Sequence, residues 1–398
     1  MELQIANRVN SFAESQTLGM AKLGRELAAQ GHKVISLSLG EPDFDTPEHI
    51  KEAAKKAIDE NYTHYTPVAG YADLREAICT KLLRDNNLHY TPNQIVVSTG
   101  AKQSLMNVVL SVINPGDEVV IPAPYWVSYS SMVEFAGAKP VLVLAGIEQD
   151  FKVTPEQLEA HITPKTKLMM FSSPCNPSGS IYSKAELQAI AQMLEKYPQI
   201  YVISDEIYEH INYIGKHESI AQFENLRDRV IVINGVSKGY AMTGWRLGYI
   251  AAPLPVAAAC EKIQGQFTSG TSSISQRAAI AALTQSLAPT HAMRDTFKKR
   301  RDLVMDLMKN IEGFKCNVPP GAFYVFPDVS SFFGKTDGKQ TINDAMDLSM
   351  YILEHAHVTT VTGEAFGSPD NLRLSYAAAE ADLTEAFTRI EKVLKQLK

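Results

Sequence analysis

Val230-Ile231-Val232-Ile233 runs directly into Asn234-Gly235-Val236-Ser237-Lys238-Gly239. Four β-branched apolar residues without polar alternation read as a strand buried on both faces. The turn that follows is small, polar and carries one amine. The next apolar run, residues 247–251, comes too soon for a helical crossover, which allows an antiparallel strand there. The same pattern recurs outward through residues 46–290. Short apolar runs at 95–97, 118–121, 141–144, 168–171 and 200–203 alternate with helical windows such as 102–113, 184–196 and 255–264. This alternation predicts an α/β fold, with a mostly parallel seven-stranded sheet covered by helices.

Both ends of the chain read differently. A helical stretch over 18–30 is ended by Gly31, and a strand pattern over 34–39 is broken by Gly40-Glu41-Pro42. After residue 290 come a charged helix over 291–310, an apolar run over 322–326, a polar loop, another helix and a strand over 372–376. The expectation is a large domain over 46–290 and a smaller α+β domain built from 1–45 and 291–398, with the strand near Val34 joining the latter.

Composition narrows the classes. The chain has 398 residues, 45% hydrophobic and 21% charged, which is ordinary for a globular protein with a sizeable core. A formal net charge of −6 argues against nucleic-acid binding as the main role. The four cysteines, Cys79, Cys175, Cys260 and Cys316, are far apart and form no C-x-x-C pair. That spacing points to a reducing cytoplasm. No opening apolar block reads as a signal peptide, and no run approaches the roughly 20 apolar residues of a membrane span.

In an open parallel sheet, ligands bind beyond the carboxyl ends of the strands. Residues 95–97 lead to Ser98-Thr99-Gly100-Ala101-Lys102, which opens a helix, and 168–171 lead to Ser172-Ser173-Pro174-Cys175-Asn176-Pro177. Residues 200–203 lead to Ser204-Asp205-Glu206-Ile207-Tyr208, and 230–233 lead to Lys238. An anion-holding helix start, an amide, a carboxylate with a phenol, and an amine thus converge on one rim. Each has a plainer reading: a turn, a turn former, a helix cap for Asp205, a surface lysine. Lys238 is hemmed by small residues, which favours a partly buried amine of lowered pKa, able to attack a carbonyl. Arg246 sits between apolar neighbours, so it should be buried with an anionic partner, phosphate or carboxylate. Lysine, carboxylate and arginine together suggest a pyridoxal phosphate site.

The stretch from Ser237 to Arg246 resembles the lysine signature of the class I pyridoxal phosphate-dependent aminotransferases. Asn176-Pro177-Ser178-Gly179, Ser204-Asp205-Glu206-Ile207-Tyr208, Gly40-Glu41-Pro42-Asp43-Phe44, Tyr65-Thr66-Pro67-Val68-Ala69-Gly70, Pro124-Tyr125-Trp126-Val127-Ser128-Tyr129 and Asn371-Leu372-Arg373-Leu374-Ser375-Tyr376 resemble its companion motifs, in the family's order. The resemblance spans almost the whole chain. It is greatest to the bacterial aspartate aminotransferase branch that includes aspartate/prephenate enzymes.

The resemblance implies a fold-type I enzyme with pyridoxal 5'-phosphate as cofactor and a homodimer with shared sites. It implies that Lys238 holds the cofactor covalently and then moves the substrate's proton, and that Asp205 keeps the pyridine nitrogen protonated. Tyr208 and Asn176 would bond the phenolic oxygen, and Trp126 would stack on the ring. Ala101, Lys102, Ser237 and Arg246 would hold the phosphate, with Tyr65 reaching across to the neighbouring subunit. Gly40, Asn176 and Arg373 would bind the substrate α-carboxylate. Lys102, with hydroxyls from Ser15 and Thr17, would meet a distal carboxylate. The implied reaction moves the amino group of L-aspartate to 2-oxoglutarate by a ping-pong route. The alternatives are prephenate or aromatic substrates, or a carbon–sulfur lyase sharing Lys238 and Asp205. Relatives often carry Gly at the position of Ala101 and Asn at that of Cys175, and the latter change suggests oxidation sensitivity.

Other motifs are weaker. Gly334-Lys335-Thr336 lacks the earlier glycine of a P-loop, because position 329 is Val. Glu206, Glu209 and His210, read as one helix face, lack a matching His or Cys set, so no metal is expected.

Overall fold

The computed structural model describes Ala6, Val9 and residues 16–398. The strands are β1 (Ile35–Ser36), β2 (Ile95–Ser98), β3 (Glu118–Ala123), β4 (Lys139–Leu144), β5 (Thr166–Ser172), β6 (Tyr201–Asp205), β7 (Val230–Gly235), β8 (Gly248–Ala251), β9 (Tyr324–Val325), β10 (Val358–Thr359), β11 (Val361–Thr362) and β12 (Leu372–Ser375). All seven apolar runs of the central region join one seven-stranded sheet, in the order β2-β8-β7-β6-β5-β3-β4. The sheet is parallel except for β8, which pairs antiparallel with both β2 and β7.

Why these runs show no alternation is visible in their packing. Leu168, Met170, Ile203, Ile231 and Ile233 face one apolar cluster, with Val108 and Val256. Met169, Phe171, Val202, Val230 and Val232 face another, with Leu187 and Ile190. Alternate side chains thus enter opposite layers, and both layers demand apolar residues. Register brings the strand ends level: Ser172 pairs with Asp205, and Asp205 with Ile233. Polar residues therefore gather at one rim.

The two ends of the chain meet. β1 pairs parallel with β10, Ile35 opposite Val358, while β11, β12 and β9 form an antiparallel sheet. The strand pattern at 34–39 shortens because the chain switches partners. Leu37 N donates to Thr359 O at 3.1 Å, and Leu37 O accepts from Ser375 N at 2.8 Å. A separate apolar cluster joins Ile35 and Leu37 to Phe297 and Val304 of helix Ala288–Met308, Leu348 of helix Ala345–Ala356 and Phe387 of helix Glu380–Leu394.

The plainer reading of Asp205 as a helix cap falls away, because residues 207–210 form a turn rather than a helix. Among the described residues, no helix is long and apolar enough to cross a membrane.

Candidate active site

A cavity of about 300 Å³ opens at the C-terminal rim of the sheet. Its lining includes Thr17, Gly40, Ala101, Lys102, Trp126, Asn176, Asp205, Tyr208, Ser237, Lys238, Arg246 and Arg373. Every site residue expected from sequence thus lies on one wall or another of this cavity, except two. Ser15 lies outside the described residues. Tyr65 is 99% exposed and does not line the cavity of its own chain.

Asp205 ends β6, is buried, and projects into the cavity. Tyr129 Oη donates to its Oδ2 at 2.7 Å, and Ile207 N donates to its Oδ1 at 3.2 Å. Burial pushes the carboxyl up to about 6, against the pull of these donors. Lys238 follows β7 and its Nζ donates to the carbonyl of Gly40. Burial pushes this amine down to about 8, with Arg373 and Arg246 adding repulsion and Glu41 opposing. Gly40 has no room for a side chain, because a Cβ there would lie 2.2 Å from Tyr324 Oη.

Tyr324 is also the partner of Tyr208, with 2.7 Å between the two hydroxyls. Arg373, on β12, is buried. It donates from Nη1 to Asn176 Oδ1 at 2.9 Å and from Nη2 to the carbonyl of Ser38. Its guanidinium lies 4.7 Å from the centroid of the Tyr324 ring. Its Nε is buried with no partner among the described residues.

Helix Ala101–Val112 begins at the rim after Gly100, whose φ is +85°. Its first amide N–H groups have no acceptor within the helix. Arg246 departs from expectation: it is exposed rather than buried. Its φ of +54° turns it out of the apolar neighbours that surround it in sequence. Its guanidinium instead abuts the helix start, where a Cβ on Gly100 would lie 2.6 Å from Nη2. Lys102 Nζ lies 5.0 Å from the Trp126 ring centroid, and desolvation and Arg246 both lower its pKa. Thr17, in the first turn of helix Gln16–Ala29, has a buried hydroxyl with no partner among the described residues. Cys175 is buried, and burial pushes its thiol up, away from the oxidation-prone thiolate.

Sequence reasoning does not single out Tyr129 or Tyr324. Tyr129 stands three residues after Trp126, the spacing that puts two side chains on one helical face. Nothing in the sequence marks Tyr324. Gly235-Val236-Ser237-Lys238-Gly239 also spells the Gly-x-Ser-x-Gly pattern of hydrolase nucleophile elbows, which the sequence reading overlooks. Among the described residues no histidine lines the cavity, so Ser237 has no histidine base there.

The aminotransferase class I and II family pattern matches residues 32–390. The chain is 49% identical to an aspartate/prephenate aminotransferase of Cereibacter sphaeroides, covering 95% of each. It is 48% identical to a bifunctional aspartate and glutamate/aspartate-prephenate aminotransferase of Petunia hybrida, covering 100% of this chain and 84% of that one. Among solved structures, the aspartate aminotransferase of Rhizobium meliloti superposes with a TM-score of 0.97 at 42% identity, covering all of both chains. That of Thermus thermophilus with maleate gives 0.93 at 38% identity, covering 98% of this chain and 100% of that one. With its parallel sheet, its rim lysine and a match over nearly its full length, the chain belongs to the class I and II aminotransferase family, whose cofactor is pyridoxal 5'-phosphate.

Proposed function

We propose that this protein transfers the amino group of L-aspartate to 2-oxoglutarate, giving oxaloacetate and L-glutamate. One observation carries the reading. Lys102, Lys238, Arg246 and Arg373 line one cavity, and none forms an ion pair with a carboxylate among the described residues. Unpaired cations around one buried carboxylate are a receptor for a ligand that brings several negative charges and one cationic ring nitrogen.

The donor set fits pyridoxal phosphate. Arg246, Ser237 and the helix start at Ala101 and Lys102 would hold the phosphate. Asp205 would meet the ring nitrogen, Tyr208 and Asn176 the phenolic oxygen, and Trp126 the ring face. When bound, the cofactor supplies an electron sink next to the substrate's α-carbon. Lys238 would anchor it through Nζ and would carry the substrate's α-proton on that same atom. Asp205 would hold the proton on the ring nitrogen. Arg373, already oriented by Asn176 and Ser38, takes the α-carboxylate as a two-pronged pair. Lys102, with Thr17 and Ser15, takes the distal carboxylate.

The same reading assigns 46–290 to a large cofactor-holding domain and 1–45 with 291–398 to a small one. It makes the protein a cytoplasmic homodimer. Tyr65, fully exposed yet in a family motif, supports a role in the neighbouring subunit's phosphate site. The four unpaired thiols support a reducing compartment. Prephenate is a second substrate reading, favoured by the name of the Cereibacter relative.

The test is spectroscopic. Aspartate alone, without an oxo acid, should convert the bound cofactor to its amine form. A cofactor band untouched by aspartate but converted by glutamate and then discharged by prephenate would favour the second reading. Absence of any band after adding pyridoxal phosphate would reject both.

A further inference from the structure

Behind Asp205, on the side away from the cavity, lies a buried charged cluster. Successive side chains of an extended strand point to opposite faces. Asp205 enters the cavity, while Ser204 and Glu206 turn to the other face. Glu206 is buried, and its carboxylate accepts from Ser204 Oγ at 2.9 Å and from Ser219 Oγ. Its other oxygen lies 2.9 Å from His217 Nε2. Its backbone N donates to Ile233 O at 2.9 Å, tying the turn to β7. Glu209, three residues on, is ion-paired with the buried Lys81 and accepts from Asn86 Nδ2 at 3.0 Å.

Glu206, Glu209 and His217 bring their polar atoms within 4.8 Å of one another. That grouping has the composition of a metal site, but Lys81 already supplies a cation inside it. Lys81 pairs with Glu209, and among the described residues Glu206 has no lysine or arginine partner, so its charge is balanced only if His217 is protonated. The remaining neighbours do not supply that balance. Asp85 adds a negative charge 3.9 Å from Lys81 and is itself met by Arg84. His210 lies 3.3 Å from Glu209, but burial pushes it down to about 4, so it is neutral. Tyr90, Tyr240 and Tyr249 are phenols that burial keeps protonated. Burial opposes charge on His217, yet Glu206 outweighs it and raises that histidine's pKa. Glu206 in turn makes ionisation of Asp205 harder.

We infer that His217 and Glu206 form a positioning pair for Asp205, in which His217 carries the positive charge that keeps the neighbouring carboxylate from suppressing Asp205. The inference rests on the reading that Asp205 meets the cofactor's ring nitrogen. It makes His217 a positioning residue, which touches neither cofactor nor substrate.

The experiment is a titration of apoprotein with pyridoxal phosphate at about pH 5, below the value of about 6 held by Asp205, followed by visible absorbance. His217→Gln leaves Glu206 uncompensated and should weaken binding about tenfold, one unit of carboxyl pKa. The double variant Glu206→Gln with His217→Gln removes both charges and should return to within about twofold of wild type. A double variant as weak as the single one would mean that the pair is merely structural, and would overturn the inference. If His217→Gln does not fold, nitrogen-15 NMR of the wild-type imidazole decides: both ring nitrogens protonated at pH 7.5 is the expected result, and a neutral ring overturns it. Wild-type protein that binds no cofactor would instead defeat the functional reading itself.

Discussion

Tyr129 Oη donates to Asp205 Oδ2 across 2.7 Å, and both groups are buried. The phenol is the shorter of the carboxylate's two donor contacts and holds it ionised against its burial. Tyr129→Phe should therefore raise Asp205 above its value of about 6. A hydrogen bond to a charged group contributes about 1.5–3 kcal/mol, roughly one to two pKa units, so cofactor affinity should fall about twofold to tenfold near neutral pH and about tenfold or more at pH 5. Because only the ionised carboxylate pairs with a protonated ring, affinity should decline as pH drops through about 6 in wild type, and at higher pH in the variant. Titrating apoprotein with cofactor across pH checks both points; superimposable curves reject the role.

Lys238 is half-buried, with its amine pushed down to about 8. Only the neutral amine attacks the cofactor's aldehyde. The rate of cofactor capture by apoprotein should rise with pH and level off above about 8. Lys238→Ala should lower turnover by about 10³-fold or more while leaving the far-ultraviolet circular dichroism unchanged. Activity near that of wild type would remove Lys238 from the site.

Arg373 is oriented before any substrate arrives, by Asn176 and by the carbonyl of Ser38. Arg373→Ala removes a two-pronged partner for the α-carboxylate, an effect of about 2–5 kcal/mol. The Michaelis constant for aspartate should rise about 100-fold, with a smaller change in kcat. Steady-state kinetics measure the split.

Lys102 lies against Trp126 at the rim. If it meets the distal carboxylate, Lys102→Ala should reduce kcat/KM for aspartate about tenfold more than for an aromatic amino acid. Equal losses would restrict it to the phosphate.

Gly248 lies where β8 touches the start of helix Ala101–Val112, and a Cβ there would fall 2.2 Å from Ala101 N. Backbone cannot yield as a side-chain tip can. Gly248→Ala should destabilise the protein by about 1–3 kcal/mol, seen in urea unfolding, and should weaken cofactor binding by displacing the phosphate-holding turn.

Much of this arrangement is legible in sequence because strand ends are both topological and chemical landmarks. The run 230–233 places Lys238 at a rim, and the run 200–203 places Asp205 beside it. Burial is harder to read. Arg246 looks interior from its neighbours, yet a positive φ sends its side chain outward. Tyr324 and Tyr129 act through contacts with residues far away in sequence, 116 positions from Tyr208 and 76 from Asp205, and no local pattern records such contacts. His217 is equally silent, since its meaning depends on Glu206 and Lys81 arriving from other elements.

Pairing of β1 with β10 carries a consequence for synthesis on the ribosome. Ile35 and Ser36 leave the tunnel more than 300 residues before their partners Val358 and Thr359. At roughly 5–20 residues per second, the early strand waits about a quarter of a minute to a minute for its neighbour. Arg373 emerges later still. A nascent chain can thus complete the central sheet, with Lys238 and Asp205, well before it has the arginine assigned to the substrate's α-carboxylate. A chain cut short before Arg373 would lack that partner, so the order of the chain sets the cofactor-holding residues ahead of it.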